Sequence, residues 1–66
     1  MTERTPDGWH LGLHEAHYLY RDGECLAVVF YRPSGWEYWD FRTAASVGLY
    51  LTLEAAKRAA EESCKN

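Results

Sequence analysis

Tyr18-Leu19-Tyr20-Arg21-Asp22-Gly23-Glu24-Cys25-Leu26-Ala27 is the stretch on which the fold turns. Asp-Gly between two apolar-aromatic runs is the sequence of a two-residue hairpin loop of type I′, which needs positive φ at both central positions. Arg21 and Glu24 then stand opposite each other and pair favourably across the hairpin. The alternating residues before the turn predict a strand from about Trp9 to Tyr20. Cys25 to Tyr31, rich in Val, Phe and Tyr, predicts the second strand.

A second turn follows at Arg32-Pro33-Ser34-Gly35, where proline presets φ at the entry. Trp36 to Arg42 reads as a third strand and Val47 to Leu51 as a short fourth, joined by Thr43-Ala44-Ala45-Ser46. Thr52 is an N-cap residue with Glu54 in the first turn, and Leu53 to about Cys64 is rich in good helix formers. The expected fold class is α+β: an antiparallel β-meander of three to four strands packed on one C-terminal α-helix. Residues 1–8 are expected to form a flexible arm and residues 9–66 a single domain.

The two turns also assign side chains to faces, because a strand alternates. With Tyr20 opposite Cys25, the sequence places Leu19 opposite Leu26 and Tyr18 opposite Ala27. With Tyr31 opposite Trp36, Val29 meets Tyr38 and Val28 meets Trp39. One face then collects Trp9, Leu11, Leu13, Leu19, Leu26, Val28, Phe30, Trp39 and Phe41, and is expected to be the core. Leu53, Ala56, Ala60 and Cys64 form the helix stripe that covers it. The other face collects His14, Tyr18, Tyr20, Tyr31, Trp36 and Tyr38 and is expected to be open.

Sixty-six residues form one domain at most, and a domain of this size buries only about 60% of its unfolded surface. Aromatic residues make up 15% of the chain, which supplies much buried area per side chain. The net charge of −3 disfavours a generic nucleic-acid binder and suits a basic protein partner. The polar N-terminus has no apolar signal core and no run approaches a membrane span, so a cytoplasmic protein with Cys25 and Cys64 reduced is expected.

Catalytic and metal chemistry find little purchase in the sequence. His10, His14 and His17 would share one helix face, but on a strand His10 and His14 lie roughly 13 Å apart and His17 points away. Glu15 and Glu37 fall on the core face, and Asp40 on the other. Cys25 has no implied orienting group for nucleophilic work. No enzyme, metal or cofactor is expected.

Gly48-Leu49-Tyr50-Leu51-Thr52-Leu53-Glu54-Ala55-Ala56, after a strand opening on Gly35-Trp36, resembles the strand-to-helix junction of ethylene-response-factor and integrase-type DNA-binding domains. That resemblance covers about the last forty residues and implies a three-stranded sheet on one helix that reads DNA with its open face. Those families carry several Arg and Trp residues there. This chain instead places Tyr18, Tyr20, Tyr31 and Tyr38 on the matching face, with Trp36. The layout also resembles short phage and prophage proteins, some of which inhibit host defence complexes, anti-CRISPR proteins among them.

The functional expectation is a non-enzymatic protein-binding module of the phage-encoded inhibitor type. Tyr18, Tyr20, Tyr31, Trp36 and Tyr38 would form its contact patch, with Asp40 steering it to a host protein such as a basic nucleic-acid-binding complex. One alternative is a nucleic-acid binder that stacks bases on the sheet aromatics, helped by Arg21, Arg32 and Arg42. Another is a homodimer that buries the aromatic face against its own copy.

Overall fold

The structure is a computed structural model describing residues 6–64. Five antiparallel strands run in sequence order: β1 (Gly8–Leu11), β2 (His17–Arg21), β3 (Glu24–Arg32), β4 (Gly35–Asp40) and β5 (Ala45–Tyr50). One helix, α1 (Leu53–Ser63), closes the chain. The α+β meander with a C-terminal helix is as expected, with one strand more than the three to four anticipated. No helix among the described residues is long and apolar enough to cross a membrane.

The additional strand arises where one long strand was expected over Trp9 to Tyr20. Gly12 ends β1, and a single 3-10 turn at Leu13–Glu15 reverses the chain into β2. His14 and Glu15 both take φ of 57°, a left-handed excursion that no strand can accommodate. Gly12 N–H donates to Ala16 O at 2.7 Å and closes the corner. Asp7 and Gly8, expected in the arm, are held by the sheet. Residues 1–5 lie outside the described residues, Asp7 accepts from Asp22 N–H at 2.9 Å, and Gly8 already pairs with Tyr20.

The Asp22-Gly23 turn is as expected, with φ of 54° and 80° and with Arg21 paired to Glu24. Tyr31 pairs with Trp36, Val29 with Tyr38 and Val28 with Trp39, again as expected. Beyond Tyr20–Cys25 the first hairpin departs from the simple count. Leu19 pairs with Ala27 and Tyr18 with Val28, so Leu26 is an extra residue in a β-bulge. That one residue moves Tyr18 and Tyr20 onto the face of Val28 and Trp39. Leu19 moves onto the face of Ala27 and Val29.

The helix begins as its sequence dictates. Thr52 is extended, and its hydroxyl accepts from Ala55 N–H at 3.1 Å. Ala56, Ala60 and Cys64 are buried and Leu53 packs beside them, which is the expected stripe. The stripe covers the other side of the sheet from the one expected. It packs on Leu19, Ala27, Val29 and Tyr38, flanked by Trp9, Leu26, Trp36 and Tyr50. Small side chains explain the choice. Ala27 and Val29 meet Ala56 and Ala60, so helix and sheet approach closely and Tyr38 fills the gap between them. A face built on Phe30, Trp39 and Tyr18 would hold an alanine-lined helix away and leave voids.

Both ends of the sheet's turns are tied to the end of α1. Arg21 Nη1 donates to Cys64 O, and Arg42 Nη2 donates to Ser63 O at 3.0 Å. The last carbonyls of a helix have no intrahelical donors and carry the negative end of its dipole. Two guanidinium groups from two different hairpin turns satisfy them here.

Candidate functional site

The face away from α1 is built from every strand. Register and alternation place His10 on β1, Tyr18 and Tyr20 on β2, Val28, Phe30 and Arg32 on β3, Glu37 and Trp39 on β4, and Leu49 on β5. Its centre is the row His10, Tyr18, Val28, Trp39, each paired with the next across the strands. Val28 is buried beneath the rings beside it, while Tyr18, Tyr20, Phe30 and Trp39 are half-buried. His10 meets Tyr20 edge to face at 5.3 Å between ring centres. At the rim, the Arg32 guanidinium lies 5.3 Å from the Phe30 ring centre, and its Nε donates to Glu37 Oε1 at 3.0 Å. That pair neutralises the two charges on the face.

The residues expected to form the contact patch are divided between the two sides. Tyr18 and Tyr20 lie on the open face. Tyr31, Trp36, Tyr38 and Asp40 lie on the side that α1 covers, because the bulge at Leu26 changes the parity between β2 and β3. Tyr38 is 1% exposed and belongs to the core. Trp36 packs against the core's margin, with His17 and Tyr31 edge-on to it at 5.9 and 5.5 Å. Tyr31 itself is exposed. His14, expected beside the tyrosines, sits exposed in the 3-10 turn.

Asp40 is buried and engaged within the chain, so it presents no carboxylate for steering. It accepts from Arg42 N–H at 2.8 Å, Arg42 Nε at 3.3 Å and Arg42 Nη2 at 3.2 Å. Burial alone would raise its pKa. The Arg42 hydrogen bonds outweigh burial and hold the carboxyl below its ordinary value. The same bonds raise the Arg42 pKa.

The three arginines of the nucleic-acid alternative are likewise engaged. Arg21 holds Cys64 O, Arg32 holds Glu37, and Arg42 holds Asp40 and Ser63 O. They occupy three separate places and form no stripe across the open face.

Other reactive groups are spread apart. His10 is on the open face, where its ring nitrogen lies 2.7 Å from Pro6 O, while His17 is on the helix side. Among the described residues no group of three His, Cys, Asp or Glu is placed to hold a metal ion. Burial pushes the Cys25 thiol up, with Ala27 O and Tyr20 pulling it partly back, so the thiol stays protonated at neutral pH. Burial also lowers the His17 pKa, aided by Lys57 and opposed by Glu15.

The residues that sequence reasoning left out of the site are Val28, Phe30 and Trp39, all assigned to the core. Their signal was present as a row of large side chains two residues apart, but its side depended on the bulge. No protein-family model, curated protein or solved structure matches the chain.

Proposed function

We propose that this chain is a non-enzymatic protein-binding module that docks through the sheet face opposite α1. We read it as a small phage-type inhibitor acting in the cytoplasm on a host protein of the CRISPR-type defence class. The observation that carries the binding reading is the grouping of Tyr18, Tyr20, Val28, Phe30 and Trp39 on a face that the single helix leaves uncovered. Tyrosine and tryptophan supply large contact area at low entropic cost and dominate binding hot spots. Exposed apolar patches on small domains mark contacts.

The charge of the whole chain supports the kind of partner. A net charge of −3 steers the module toward a basic surface, while the open face itself is almost neutral. Long-range attraction then comes from the molecule as a whole, and short-range recognition from the rings. The inhibitor reading rests on size, acidity and this division of labour.

A photo-crosslinking residue tests the reading when placed at Phe30 on the open face or at Arg58 on the exposed side of α1. The expected result is a crosslink to a purified CRISPR-type effector complex from position 30, competed by unlabelled protein and lost in Tyr18→Ala. Capture from position 58 alone, or from neither position, overturns it. Titration with oligonucleotides at low salt is the companion measurement. Tight binding that weakens steeply with salt would replace this reading with the nucleic-acid alternative.

A further inference from the structure

The two edges of the sheet are treated differently. β1 is a four-residue strand, bracketed by Pro6 and by the Gly12 corner. Short edge strands next to proline are poor templates for pairing. β5 is six residues long, and from Thr43 to Leu53 the chain carries no charged residue and no proline. Lysine, proline and inward charge, the usual guards of an edge, are all missing from it. The helix packs chiefly over β4, with β3 and β5 to either side, so it does not reach past β5 to cover the free backbone.

A second pattern runs along this strand and one residue past its end. Val47, Leu49 and Leu51 are 51%, 53% and 91% exposed. They recur at every second residue along an edge beyond which, among the described residues, no further strand pairs with β5. The core beneath is thin. Its largest fully buried side chains are Tyr38, Val29 and Cys64, and small domains with such cores gain stability by association.

We infer that β5 is a self-pairing edge, and that two copies of this chain join antiparallel along it into one continuous ten-stranded sheet. An antiparallel seam between identical strands is self-complementary, because it closes on a two-fold axis. Centred on Leu49, it sets Leu49 beside Leu49 of the second copy and Gly48 beside Tyr50 of the second copy, with Val47 and Leu51 flanking the seam. No acidic residue lies in the seam, so the net charge of −3 on each copy meets no close repulsion there. The bulge at Val47, the extra residue between Ser46 and Gly48, limits regular pairing to the half of β5 leading to α1. The seam is therefore short and the dimer concentration-dependent. It leaves Tyr18, Phe30 and Trp39 free and places two open faces side by side, independently of what those faces bind.

Sedimentation velocity over a concentration series tests the seam, alongside hydrogen exchange of residues 45–51 at low and high concentration. The expected result is a monomer–dimer equilibrium, with protection of 45–51 rising as the dimer forms. Leu49→Lys, which sets two like charges directly opposite each other at the centre of the seam, should weaken dimerisation roughly tenfold or more with the circular dichroism unchanged. Phe30→Ser on the open face should leave it intact. A wild-type chain that stays monomeric throughout overturns the inference. So does a dimer that survives Leu49→Lys, or one that forms without added protection of 45–51. If Leu49→Lys does not fold, the exchange measurement on the wild-type chain decides alone.

Discussion

Tyr38→Phe should make the protein more stable. Tyr38 is 1% exposed, and among the described residues its hydroxyl has no hydrogen-bond partner. Burial raises its pKa, with Ser63 near enough to draw it partly back yet completing no hydrogen bond. An unpaired buried hydroxyl costs about 1–3 kcal/mol by protein mutational measure. Removing it leaves a void of about 10 Å³, worth only about 0.2 kcal/mol at ~24 cal/mol per Å³. The desolvation gain therefore wins. In a domain of this size 1 kcal/mol moves the melting temperature by about 4–8 °C, so Tyr38→Phe should raise Tm by roughly 4 °C or more. Thermal melts and urea titration check it, with the urea midpoint rising at unchanged slope. A fall in Tm would refute the reasoning. If Ser63→Ala fell equally and the double variant fell no further, the hydroxyl would be paired to Ser63.

Gly35 has φ of 144°, and a Cβ there would sit 2.6 Å from the backbone oxygen of Tyr50. Gly35→Ala should cost about 1–3 kcal/mol, read as a lowered urea midpoint. For His17, the unfolded imidazole titrates near 6.5 and the folded one at lower pH. Between those values the unfolded state holds more protons, so stability falls as pH drops through that window, and His17→Gln should flatten the slope. The Asp40 carboxyl is depressed below its unfolded value of 3.8, so its contribution is complete above that value and lost as pH falls through the folded pKa. Asp40→Asn should cost about 1–3 kcal/mol at neutral pH, and the variant's acid limb should be shallower in a pH series of urea midpoints.

Much of the fold was legible because its signals are local. Asp22-Gly23 admits the left-handed angles of a type I′ turn, and Thr52 offers its oxygen to an unpaired helix N–H. Two features were not legible. The reversal at His14 and Glu15 puts non-glycine residues at positive φ, where sequence gives little warning, and so β1 and β2 read as one strand. The bulge at Leu26 is one residue long, yet it exchanges the faces of β2 relative to all of β3 beyond it. The expected patch was therefore assembled from both sides of the sheet. The helix stripe was right in its residues and wrong in its target, because helical spacing fixes which side chains are buried and not which side of a sheet receives them.

The charged groups follow a consistent division of labour that bears on the candidate site. Arg21 and Arg42 bind the carbonyls at the end of α1, and Arg42 also fixes Asp40. Arg32 and Glu37 neutralise each other at the rim of the open face. Trp9 donates to Glu61 Oε2 at 2.7 Å, and Lys57 lies 5.2 Å from the Trp9 ring centre. Polar side chains that a sequence reader would assign to recognition are thus used to fasten the helix and the turns. A thin alanine-lined core needs such fastening, since it supplies little apolar area of its own. The consequence is that the open face has rings to offer and few unspent charges. Shape and apolar area must then carry specificity at close range, and the long-range field of the acidic chain must carry approach.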